Sequence, residues 1–207
     1  MQLQKSTAWS LIIGPLGIMI LMMAFGFGTG VFTTEGETES AQKMMDNHDL
    51  ARVVFSLIGM TMLLMIFGWI SFSRQIDPDG AAMNYARLAL LPGVVLIIAS
   101  MSLWVGLGPD VEVGVNVTLE NVSDGISTLG DVLLDVGIII IAIVAFRKNV
   151  STTLVKILLA LVVLGQILDL VAVVGGIGVG DLDFFGWVIF TVATVGIGIQ
   201  GLRAKES

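Results

Sequence analysis

The sequence predicts an all-α, polytopic membrane bundle of six transmembrane helices, a single domain over residues 1–207 with both termini cytoplasmic. Three observations carry this. Hydrophobic residues make up 56% of the chain, charged residues only 13%, and the mean hydropathy is +0.97, outside the range of soluble domains. Six apolar stretches, about 8–32, 50–73, 85–108, 128–146, 154–176 and 184–203, each reach the roughly 20 residues that cross a 30 Å hydrocarbon layer. The basic residues also sort to one side of the membrane that these spans define.

The first span follows Met-Gln-Leu-Gln-Lys and outruns the 7–15 apolar residues usual for a signal peptide; no A-x-A-like site follows, so it is read as a retained helix. Pro15 within it removes one helical hydrogen bond and is expected to kink it. The loop TTEGETESAQKMMDNHD is polar enough to be mobile, and Asp46 or Asn47 is placed to cap the second span. Along that span His48, Arg52, Ser56 and Gly59 recur at steps of three and four, a stripe of polar or small residues.

Asp77-Pro78-Asp79-Gly80 reads as a turn, proline setting φ and glycine permitting a positive one. The third span carries Pro92, a second expected kink. In the next loop Val111, Val113, Val115, Val117 and Leu119 alternate with polar residues or glycine, and this period of two predicts a short extended segment above the membrane. Asn116 and Asn121 begin glycosylation sequons on that side, whereas Asn149-Val-Ser falls on the opposite side, where it would be silent. GGIGVG at the outer end of the fifth span lacks the Gly-Lys-Ser/Thr of a phosphate cradle and reads as close packing. Spans one to three and four to six show no convincing repeat.

Lys5, Arg74, Arg87, Arg147, Lys148, Lys156, Arg203 and Lys205 fall on the side of the termini, leaving Lys43 and Arg52 across the membrane. Basic residues mark the cytoplasmic face, which sets the expected orientation in the cell membrane. Trp9, Trp69 and Tyr85 near the inner ends, and Trp104 and Trp187 near the outer ends, read as aromatic belts. The outer loops are acidic, which disfavours nucleic acid as a partner. The expected surroundings are the lipid bilayer, with a homodimer or larger membrane complex as candidate assemblies.

Within the spans the carboxylates stand out. Asp131 and Asp135 are four residues apart, about 40° around a helix, and share a face. Gln166 and Asp169 share a face of the next span. Counting 1.5 Å per residue puts Asp135 about 18 Å and Asp169 about 21 Å from the inner ends of adjacent, antiparallel helices. Carboxylates at one depth in lipid cannot cheaply all be ionised, so Asp135 and Asp169 are expected to share a proton or bind a cation, with Gln166 hydrogen-bonding a remaining oxygen. Asp131 completes this site, with Arg52 as its expected ion-pair partner. His48, the single histidine, is a candidate pH sensor at the outer surface.

The chain has no cysteine, which removes disulfides, thiolate metal sites and cysteine nucleophiles. Its eleven methionines read as packing material, and no metal site or cofactor is expected. There is no H-E-x-x-H and no G-x-S-x-G, so an enzyme is not expected. The reading favoured is a proton- or cation-linked transporter or ion pathway using the outer-half carboxylate cluster. The alternative is a non-catalytic subunit or assembly factor of a larger membrane complex.

Overall fold

The computed structural model describes residues 2–34, 37–106, 113–148, 152–175 and 180–203, and the regular secondary structure within them is all helical. Seven α-helices follow in order: α1 (Lys5–Thr29), α2 (Glu37–Asp46), α3 (His48–Ile76), α4 (Ala81–Gly106), α5 (Val113–Arg147), α6 (Thr153–Gly175) and α7 (Gly180–Arg203), with one 3-10 turn at Val31–Thr33. Six of them, all but α2, are long and apolar enough to cross a membrane.

These six close into a ring. α1 packs on α3, then α3 on α4, α4 on α5, α5 on α6 and α6 on α7, and α7 returns to α1. Large apolar side chains cover the outside, Ile20, Met60, Val95 and Val192 among them, as expected of helices facing acyl chains. With lipid outside, hydrophobicity cannot choose which faces meet, so close backbone approach does. Gly93 of α4 and Gly130 of α5 each stand where an added Cβ would lie 3.0 Å from the other's carbonyl oxygen. Gly165 and Gly186 join α6 to α7 in the same way: a Cβ on Gly165 would lie 2.8 Å from Gly186 O.

The termini meet at one end of the ring, where a Cβ on Gly201 would reach Leu3 Cδ1 at 2.5 Å. A polar layer closes this end. Gln75 Nε2 donates to Thr7 Oγ1 at 2.7 Å, and its Oε1 accepts from the Gln4 N–H at 3.0 Å. Arg87 grips the α3–α4 turn, donating to Ser73 Oγ at 2.7 Å and to the carbonyls of Asp77 and Pro78 at 2.6 and 2.8 Å. Lys148 pairs with Asp77 at 2.7 Å, tying the end of α5 to the same turn. Gly80 keeps a negative φ, because Gly30 is the one positive-φ glycine among the described residues. It is needed there for room, since a Cβ would collide with the Asp77 carboxylate.

At the opposite end the structure corrects two expectations. The loop read as mobile contains α2, whose Met44 and Met45 are buried, and Lys43 holds it by donating to Gly30 O at 3.1 Å and pairing with Glu39 at 3.1 Å. Asn47 stands at the N-cap position of α3 without a capping side-chain bond; its Nδ2 instead donates to Lys43 O at 2.8 Å, joining α2 to α3. No extended segment occurs among the described residues: 113–119 are the first turns of α5, which at 35 residues runs about 52 Å and projects beyond a 30 Å hydrocarbon layer, and Val111 lies outside the described residues. Val115 and Leu119 satisfy a spacing of four as well as of two, and Leu119 packs on the core, so a helix continuous with the span below buries what a strand would leave unpaired. Asn116 thus lies in a helix, and Asn121 is exposed on it. The Asn149 sequon and most of GGIGVG lie outside the described residues. Pro15 and Pro92 sit inside α1 and α4, which continue through them.

Candidate functional site

The inner face of α5 places Asp131, Leu134, Asp135 and Ile138 at steps of three and four toward the middle of the ring. α6 contributes Gln166 and Asp169, α7 Trp187 and Phe190, α3 Met62 and Met65, and α4 Ile97. Together they enclose a cavity of about 20 Å³, room for one water-sized occupant. Asp135, Gln166 and Asp169 are 3%, 5% and 5% exposed, and Asp131, one turn nearer the α2 end, is half-buried. The Gly165–Gly186 crossing brings α7 against this part of α6: a Cβ on Gly186 would lie 3.2 Å from Asp169 N.

The chemistry of this lining is one-sided. Three carboxyl groups and a carboxamide face a cavity whose other walls are apolar or aromatic, and no lysine, arginine or histidine lines it among the described residues. Gln166 Oε1 is buried with no hydrogen-bond partner among the described residues. A group of acceptors in low dielectric is stabilised by a proton shared between them or by a cation. Among the described residues no three His, Cys, Asp or Glu side chains converge as they would around a metal ion.

Aromatic rings close the cavity toward the termini. Trp69, fully buried, stacks on Phe190 with centroids 6.3 Å apart and meets Phe72 edge-on at 5.6 Å; Trp187 meets Phe190 edge-on at 5.7 Å. Trp69 is thus part of the core rather than of an interfacial belt, whereas Trp9 and Tyr85 are exposed near the termini end. Below the cavity, Trp69 Nε1 and the hydroxyls of Thr191 and Thr194 are buried with no hydrogen-bond partner among the described residues. Thr191 and Thr194 stand four and seven residues after Trp187, on one stripe of α7. That spacing was visible in the sequence, but only the fold shows that the stripe faces inward.

Arg52 and His48 stand elsewhere. Arg52 is exposed on the outside of the ring and forms no ion pair among the described residues, so the expected pair with Asp131 is not formed. Met62, which does line the cavity, is ten residues further along α3, about 15 Å along the axis, and the cavity face of α3 is turned about 110° from Arg52. His48 opens α3, half-buried, a further turn away. No protein-family model matches the chain, and neither a curated protein nor a solved structure matches it significantly.

Proposed function

We propose that this multi-pass membrane protein is a proton- or small-cation-linked transporter or ion pathway, and that the cavity between α5, α6 and α7 is where the ion is held. One observation carries the reading. Asp131, Asp135, Asp169 and Gln166 line a single water-sized cavity whose other described lining residues are apolar or aromatic. A proton is the favoured ion, because the carboxyl groups do not converge as a metal site. Asp135 and Asp169 share it, Gln166 donates a carboxamide N–H to a carboxyl oxygen that remains, and the half-buried Asp131 leads toward the α2 end. The Trp69–Phe72–Phe190 layer separates the site from the termini and has to yield for transfer across the membrane.

In this reading the termini are cytoplasmic in the cell membrane, following the excess of basic residues at their end. The cavity side chains bind and relay without covalent chemistry, so the protein is not an enzyme. The rival reading, a non-catalytic subunit or assembly factor, draws on the Gly165–Gly186 crossing, which makes the same polar groups a helix lock. Proton movement into liposomes containing the purified protein, followed with an internal pH dye, separates the two. Transport predicts flux that Asp135→Asn and Asp169→Asn abolish with the fold intact. Absence of flux from the wild-type protein, with constant co-purification of a larger complex, would overturn it.

A further inference from the structure

The stripe His48, Arg52, Ser56 and Gly59 takes no part in the cavity, and its surroundings give it a different use. Between α3 and α4, on the outside of the ring, an open groove of about 290 Å³ is lined by Ser56, Gly59 and Leu63 on one side and Ile98, Met101 and Ser102 on the other. Measured around α3, the groove residues 56, 59, 60 and 63 centre within about 30° of Arg52. Along the axis they begin about 6 Å and end about 17 Å below it. Arg52 therefore stands directly at the head of the groove.

From this geometry we infer that the groove binds a glycerophospholipid of the outer leaflet, its phosphate on the Arg52 guanidinium and one acyl chain along α3 and α4. The walls suit a hydrocarbon chain. Ser56 and Ser102 spend their hydroxyl protons on their own helices, donating to Arg52 O at 2.7 Å and Ile98 O at 2.9 Å, so no unmet donor faces the groove from either. The head suits a phosphate. Arg52 is exposed, and neither Asp49, one turn earlier, nor any other described carboxylate forms a salt bridge with it, so among the described residues the planar fork is open to phosphate oxygens. The nearby Asp46 and Asp49 keep the patch from being strongly cationic, which makes a zwitterionic phospholipid the appropriate probe. A transmembrane helix from a second copy is about 10–12 Å across and does not enter a groove of this volume, whereas a single acyl chain does.

The site rests on the outward face of α3 and, for the leaflet, on the orientation proposed above; it is independent of the ion pathway. Native mass spectrometry of the purified protein, titrated with dioleoylphosphatidylethanolamine or with dioleoylglycerol, tests it. The wild-type protein is expected to hold one phosphatidylethanolamine per chain at least about tenfold more tightly than dioleoylglycerol. Arg52→Gln should bring the two lipids to equal affinity. Gly59→Leu should remove the bound lipid while preserving the bundle, since a Cβ at Gly59 meets only Ile98 Cγ1, at 3.9 Å. Lipid binding that is unchanged in both variants would overturn the inference. So would a dimer that seals the groove and is broken by Gly59→Leu with no change in bound lipid.

Discussion

Two polar regions lie within this apolar bundle and are built on opposite terms. In the layer at the termini, donors and acceptors meet in kind: Arg87 serves Ser73 and two turn carbonyls, Lys148 serves Asp77, and Gln75 links Thr7 to Gln4. In the cavity mid-ring, three carboxyl groups and a carboxamide line one space with no basic residue among the described lining. A satisfied network needs nothing more to be stable, so the first region reads as architecture. Carboxyl groups gathered in an apolar lining favour a proton or cation, which is the ground on which the second is proposed as a site. Substitutions should therefore cost stability in the first region and ion movement in the second.

The largest effect should come from the crossing that builds the cavity wall. Gly165→Leu drives a side chain into the α7 backbone, where even a Cβ would lie 2.8 Å from Gly186 O. A loss of about 3 kcal/mol or more, or failure to assemble, is expected in detergent thermal melts. Retention of wild-type stability would mean that α6 and α7 do not meet here.

Arg87→Ala should follow, at about 2–4 kcal/mol, because it strips a charged donor from Ser73 and from the carbonyls of Asp77 and Pro78. Proton flux per folded molecule should be unchanged. A flux defect without destabilisation would erase the contrast between the regions. Gln166→Leu should behave in the opposite manner. It removes a buried acceptor that has no partner among the described residues, so stability should stay within about 1 kcal/mol or rise, while flux falls. Lys148→Ala should be the mildest, about 0–1 kcal/mol, because its side chain is 44% exposed in the pair with Asp77. Adding salt to the melt should shrink that difference further.

How far these regions were legible in the sequence follows from the same geometry. Asp131 with Asp135, and Gln166 with Asp169, could be placed on shared faces because their spacings are local, and their depths could be counted from the helix ends. The short α5–α6 connection then made the two helices neighbours. Arg52 stands in other surroundings than its pattern suggests, because a polar stripe on a membrane helix reads as turned inward from lipid, whereas Arg52 and Ser56 are exposed on the outside of the ring. Trp69 misled for a related reason, since nearness to a helix end suggested an interface and only packing against Phe190 puts it in the core. The alternating valines at the start of α5 fit two periods, and the helix that continues through them resolves the choice. Arg87 and Lys148 were visible as charges, but the turn carbonyls and the Asp77 carboxylate that receive them exist only in the fold.

The central claim is that the cavity carboxyls share a proton. Infrared spectroscopy of the protein labelled with carboxyl-13C aspartate, titrated across neutral pH in liposomes, reads this from the C=O stretch of a protonated acid. The account predicts one protonated-carboxyl band from the bundle interior at neutral pH, lost in both Asp135→Asn and Asp169→Asn and retained in Asp77→Asn at the termini layer. A spectrum without that band, or a band that survives both cavity substitutions, would contradict it.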